Sequence, residues 1–301
     1  MAGAFSALTG WVLFAGLALT TGATLARWVI LPRVHSGEDP SPEWLRLNPA
    51  RLASAAALLL PLAMGLYFVR QLQEFRDPFA PWTEDARLLL GATAWGRVWM
   101  WATAGSVLSV IALFAARAGK QAGWWAATPI LFALGAFPGL TGHAAGEENL
   151  RALALVADAM HVWAAGGWMG GLAVVFYLDR TWRRESPDAT SVLPALVPVF
   201  SLVAMASVGT LALTGTFAAW LHLPSIGSLF STNYGRTLLL KLGLVGIVLA
   251  LGGLNYKVLT PRLGTRQGNE QMRNAGAFEL LVAQAVLLVT ALLVRMSPMD
   301  H

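Results

Sequence analysis

Eight apolar runs of about 20 residues, separated only by short polar connections, leave this chain few folds to choose from. They cover residues 5–31, 49–72, 94–116, 124–142, 152–178, 193–221, 237–255 and 275–294. A helix rises 1.5 Å per residue, so about 20 apolar residues match the roughly 30 Å hydrocarbon core of a bilayer. Inside that core every backbone amide must find its partner within the segment, which favours helices. The expected class is therefore an all-α, polytopic membrane helical bundle of about eight transmembrane helices. The chain is 56% hydrophobic and 12% charged, where a soluble domain carries roughly 25% charged residues. No connection is long enough for a separate soluble domain, so residues 1–301 read as one integral membrane domain.

Thirteen of the 21 Lys and Arg flank connections 1–2, 3–4, 5–6 and 7–8, and eight lie on the opposite side. The basic side is cytoplasmic by the positive-inside rule, so both termini are expected to face the periplasm. The amino-terminal segment MAGAFSALTGWVLFAGLAL has no Lys or Arg before Arg27. A secretory leader needs a basic start, so this segment reads as a retained first helix. The charge of +5 follows from this topology, and no nucleic-acid partner is implied. With no cysteine, disulfides, thiolate metal sites, iron–sulfur ligation and covalent c-type haem are excluded. TAWGRVWMW at 93–101 and TNYGRTLLL at 232–240 open the third and seventh runs alike, suggesting a parallel repeat of four helices.

The fifth run contains the most informative polar residues. Its only ionisable side chains are Asp158 and His161, in the segment DAMHVWAAGGWMGG. A charge at the bilayer centre costs several kcal/mol unless it meets a partner, a cavity or a metal. The two residues are three apart and share one helix face. Asp158 is expected either to orient the imidazole while its other nitrogen binds a metal, or to be a ligand itself. The structural alternative is an Asp–His pair that only locks helix packing. His143 and His222 end the fourth and sixth runs on the same outer side, and Met160 adjoins His161; these three are expected to supply further ligands at the mouth of the site. Met64, Met100, Met296 and Met299 also fall in the outer half or outside, and the tail MSPMDH ends in His301. Thioether and imidazole without thiolate suit copper.

Other polar residues have blander readings. Gly166, Gly167, Gly170 and Gly171 form small-xxx-small pairs that let a neighbouring backbone approach. Ser207, Thr210 and Thr214 form a polar stripe on the sixth run. Lys241 reads as a snorkelling cation near a helix end, His35 as a solvated loop residue, and Glu279 as a partner for an Arg of the preceding loop. Most of the 13 tryptophans belong to the interfacial belts.

HVWAAGGWMGGLAVV from His161, SLVAMASVGTLALTGTFAAWLH, and YGRTLLLKLGLVGIVLALGGLNYKVLTPRL together resemble the copper resistance protein D (CopD) family of bacterial inner-membrane proteins. The resemblance defines a core over residues 149–296 and is looser over 1–148, where TAWGRVWMW is its clearest piece. It implies a multi-pass protein of the bacterial inner membrane that handles copper, with a periplasmic CopC-like copper-binding protein as partner. His161, within the pattern His-x(6)-Trp-x-Gly-Gly, is the residue the resemblance carries over. Copper is then the expected metal and substrate, taken from the periplasmic side and moved inward, and no catalytic site is expected. No GxxxxGK[ST] motif occurs, so any transport would be passive or driven by an ion gradient. Two other readings remain open at this point: a b-type haem redox protein, and a non-transporting docking partner for a copper chaperone.

Overall fold

The computed structural model describes residues 2–34, 41–142, 150–186, 190–223 and 225–296, and among these all regular structure is helical. The described residues form thirteen α-helices: α1 (Ala2–Leu25), α2 (Pro42–Ala57), α3 (Leu59–Phe75), α4 (Trp82–Ala92), α5 (Ala94–Arg117), α6 (Gln121–Leu134), α7 (Phe137–Thr141), α8 (Arg151–Ala165), α9 (Gly171–Glu185), α10 (Leu193–His222), α11 (Ser228–Ser231), α12 (Asn233–Leu254) and α13 (Arg266–Leu293). Joined where they are continuous, they make eight helices long and apolar enough to cross a membrane: Ala4–Arg33, Glu43–Phe75, Ala94–Arg117, Gln121–Thr141, Arg151–Glu185, Leu193–His222, Asn233–Arg262 and Arg266–Leu293. All eight expected spans are present. Several run further than the apolar runs, because polar residues continue a helix until a cap stops it.

The caps are specific. Ser41, Thr93, Thr232 and Thr265 each accept a hydrogen bond from the backbone amide three residues on. Such a cap contributes about 1 kcal/mol. At Thr93 and Thr232 the hydroxyl also donates to the carbonyl four residues back, at 2.6 and 2.8 Å. In both places the third helical residue is a glycine, Gly96 or Gly235, set against the backbone of the preceding short helix. The Gly-Arg segments thus share one local geometry. The helix α4 that precedes the first of them was not expected from the sequence.

α1 is the hub. It packs against α2, α3, α9 and α13, and 67% of its apolar window is buried, against 6% for the span containing α12. Among the described residues three spans contain a five-residue π turn, at Ala26–Ile30, Gly166–Gly170 and Asn255–Leu259. The second of these is the glycine cluster, and it lies directly on α1. A Cβ added at Gly22 would stand 2.6 Å from Gly170 Cα, and one at Gly166 would stand 2.7 Å from Thr21 Cβ. Backbone meets backbone here, as the small-xxx-small spacing implies. Gly170→Val is expected to lower stability by about 3 kcal/mol, at the upper end of ordinary overpacking, because the obstructing atoms are main chain. Thermal unfolding of the purified variant in detergent measures the effect; an unchanged midpoint would contradict this packing.

At the other end of the bundle a buried carboxylate ties three elements together. Asp179 of α9 accepts from Ser191 Oγ at 2.6 Å and from Arg183 Nε at 3.0 Å, and Arg273 Nη1 of α13 lies 3.7 Å away. Breaking a fully buried ion pair costs about 3–5 kcal/mol. Both guanidiniums here keep some exposure, so Asp179→Ala is expected to cost about 2 kcal/mol, read from the same thermal assay.

Candidate metal site

The fourth span is bent where Gly135 ends α6 and Pro138 sits in the first turn of α7. This bend brings α7 against α8. Trp163 of α8 fixes the junction: its indole donates to Phe132 O at 3.0 Å, and its ring meets Phe132 edge-on with centroids 5.0 Å apart. One to two turns earlier on α8, the Asp158 carboxylate fills the space left by Gly139 of α7. A Cβ there would stand 2.7 Å from Asp158 Oδ2.

His161 lies ten residues into α8, about 15 Å at helical rise. Its Nδ1 is 2.8 Å from Thr214 Oγ1 of α10. Thr214 has a single hydroxyl proton, which points to Thr210 O at 2.7 Å. The hydroxyl therefore accepts from the imidazole, and we assign the Nδ1–H tautomer. In the neutral ring this leaves the Nε2 lone pair as the free donor, the arrangement a metal-binding histidine needs. Gly215 lies beside the same ring, 3.6 Å from Cε1 to the position of an added Cβ. No hydrogen bond joins Asp158 to His161, so the residue that orients the imidazole is Thr214. The physical reason is helix rotation: the shared face of α8 spans two neighbours, with Asp158 toward α7 and His161 toward α10.

Asp158 has an electrostatic partner that the sequence reading placed elsewhere. Lys241 of α12 lies within Coulombic range of both Asp158 and His161. The signal was available in the depths. Lys241 is eight residues into α12 and Asp158 seven into α8, about 12 and 10 Å by helical rise. Read alone, Lys241 looked like a snorkelling end residue. Read against Asp158, it lies at the level of an intramembrane carboxylate.

The other expected ligands are less close. His222 ends α10, eight residues past Thr214, about 12 Å further along the axis. Met160 is 41% exposed on the outside of the bundle, one residue round the helix from His161. Met64 is a core residue, buried between α3 and α5 where its carbonyl accepts from the Trp99 indole. His143, His35, Met299 and His301 lie outside the described residues. Among the described residues no group of three or more His, Cys, Asp or Glu side chains converges. Nor does a second described histidine lie at the depth of His161, which a bis-histidine haem requires, so nothing supports the haem reading. The expected Glu279–Arg pair is also replaced: Asn255 donates to Glu279 at 3.1 Å.

Residues 194–293 match the family described as copper resistance protein D, and residues 1–153 match copper resistance protein D-like, N-terminal domain. Asp158, His161 and the glycine cluster fall between the two matched segments, while Thr214, Lys241 and Glu279 fall within the second. The copper transport protein CutJ of Bacillus subtilis (strain 168) is 33% identical over 211 residues, covering 68% of this chain and 37% of that protein. The copper resistance protein D of Pseudomonas syringae pv. tomato is 30% identical over 168 residues, covering 52% of this chain and 54% of that protein. The chain thus spans about half or less of the length of these curated relatives. No solved structure matches it.

Proposed function

This chain belongs to the copper resistance protein D family, and from that premise we propose that it takes copper from the periplasmic side of a bacterial inner membrane and moves it inward. The observation that carries the reading is His161. Its Nδ1 proton is committed to Thr214, and Nε2 is left as a donor inside a transmembrane bundle. Imidazole is a good copper ligand, and Asp158 supplies the negative charge that offsets a metal cation in a medium of low dielectric. Lys241 supplies the compensating positive charge when the metal is absent. A cation arriving at Asp158 and His161 then displaces the Lys241 charge, by release of its proton or by movement of the ammonium, so that the site never carries a large net charge.

His222, two turns nearer the periplasmic end, serves as an earlier contact for the ion, with His143 and Met160 as its neighbours in the sequence-based assignment. A separate CopC-like periplasmic protein is the proposed donor. The test is copper uptake into proteoliposomes, with a copper-sensitive dye inside. Wild-type protein is expected to pass copper down its gradient, and His161→Ala to reduce the rate to that of empty vesicles. A wild-type rate no higher than that of empty vesicles would remove the transport reading, and equal rates in the two proteins above that level would remove His161 from it.

A further inference from the structure

The two spans least buried in the bundle stand on either side of an open cavity. The apolar windows of the spans containing α10 and α12 are 22% and 6% buried. α10 packs on α8 and α9, and α12 rests on α13, so the gap between α10 and α12 opens sideways toward the bilayer. Behind it lies a cavity of about 320 Å³, within the range of about 300–1,000 Å³ that small-molecule sites occupy. Four aromatic rings wall it: Trp168 from the π turn after α8, Phe176 of α9, Phe200 of α10, and Tyr256 from the π turn after α12. Its polar end is Glu279 of α13, 5% exposed, whose Oε2 accepts from Asn255 Nδ2 at 3.1 Å. Oε1 lies on the side of Gly252, another lining residue, where an added Cβ would stand 3.6 Å away. Among the described residues no Lys or Arg is ion-paired with Glu279, and none lines the cavity.

We propose that this cavity binds a lipophilic quinol, with its ring among the aromatic side chains, one phenolic hydroxyl on Glu279, and its tail leaving between α10 and α12. The inference does not rest on the copper reading, since neither Asp158 nor His161 lines the cavity. A mouth that faces hydrocarbon admits ligands already dissolved in the bilayer. A phosphate headgroup needs Lys, Arg or helix-end amides. The lining offers a carboxyl group instead, which excludes the head of an anionic phospholipid. A bare acyl chain would leave the buried carboxyl and carboxamide facing hydrocarbon, which a medium without water penalises. A phenolic O–H satisfies Glu279, which accepts a hydrogen bond whatever its own charge, and Asn255 keeps a second N–H for a ring oxygen. The aromatic walls then favour a flat ring over a flexible glycerol head, because paired rings attract beyond the area they bury. Trp168, Asn255 and Tyr256 all come from π turns, interruptions of regular helix that recur at functional sites.

The experiment is photolabelling of the purified full-length protein in detergent with a decyl-chain azidobenzoquinone, followed by peptide mapping. Label is expected in residues 201–208, 248–256 or 272–279, the segments of α10, α12 and α13 that line the cavity. Decylubiquinol is expected to displace it at a concentration about tenfold lower than dioctanoylglycerol, a lipid alcohol without a ring. Gly252→Leu, which fills the space before Oε1, is expected to abolish labelling of these segments. Glu279→Leu is expected to keep the label but to need about tenfold more decylubiquinol for displacement, the effect of one lost hydrogen bond to a carboxyl group. Thermal unfolding of both variants separates a folding defect from lost binding, and the wild-type mapping and displacement stand by themselves if a variant does not fold. Label outside these segments overturns the proposal. Equal displacement by dioctanoylglycerol does so too, since the cavity would then be a crevice for any lipid. Labelling and displacement unchanged in both variants would equally refute it.

Discussion

Alanine at position 161 is expected to weaken copper binding at the Asp158–His161 site by more than about 100-fold. The estimate comes from the ligand hierarchy. Loss of a group that only orients a metal-binding histidine costs about 10–100-fold in affinity, and loss of the histidine itself removes the donor atom. Thr214→Val supplies the intermediate case. It keeps the shape of the side chain but leaves the Nδ1 proton without its 2.8 Å acceptor, so the ring loses both its tautomer preference and its orientation. Its expected cost is about 10–100-fold. Competition titration with a copper chelator ranks the three proteins, and the expected order of affinity is wild type, Thr214→Val, His161→Ala. If Thr214→Val bound as tightly as wild type while His161→Ala did not, the histidine would be the ligand but the tautomer argument would fail. If neither substitution changed the affinity, copper would bind elsewhere.

Methionine at position 241 is expected to destabilise the protein by about 3 kcal/mol. Lys241 and Asp158 act on each other through space and form no ion pair within 4 Å; a charge left uncompensated costs about 3–5 kcal/mol where the two groups are in contact and fully sequestered. Lys241 is half-buried in the bundle, which sets the expectation at the lower bound. Asp158→Asn removes the other charge. In the double variant Asp158→Asn with Lys241→Met both charges are gone, and much of the stability is expected to return. The coupling between the two positions should exceed about 1 kcal/mol, well beyond the additivity of independent sites. Thermal unfolding of the four proteins in one detergent measures it. Additive losses would show that Lys241 and Asp158 do not compensate each other, and the charge-exchange step proposed for copper would lose its basis.

Much of the architecture was legible before any coordinates. A run of about 20 apolar residues is a statement about the thickness of a bilayer, and the eight spans follow from it. The glycine cluster was legible as a packing surface because small side chains at four-residue spacing leave one helix face bare. The close approach of Gly22 and Gly170 is that face in contact. The depth of His161 was legible too, since helical rise converts residue count to ångströms.

The partnerships were a different matter. Asp158 and His161 looked like a pair because they share a face of α8, yet that face meets two different helices. Asp158 goes to Gly139 and the Lys241 charge, and His161 to Thr214. Thr214 had appeared as one member of an unremarkable polar stripe, and Lys241 as a cation seeking the interface. Glu279 reads from the sequence as a partner for an arginine of the neighbouring loop, and it is held by Asn255 from the π turn after α12. By itself the sequence determined how many times the chain crosses a membrane and how deep each polar residue sits, because hydrocarbon thickness and helical rise are local constraints. Only the tertiary structure decided which polar residues meet, because helix rotation and lateral neighbours are set by packing among distant segments, and no single span records them.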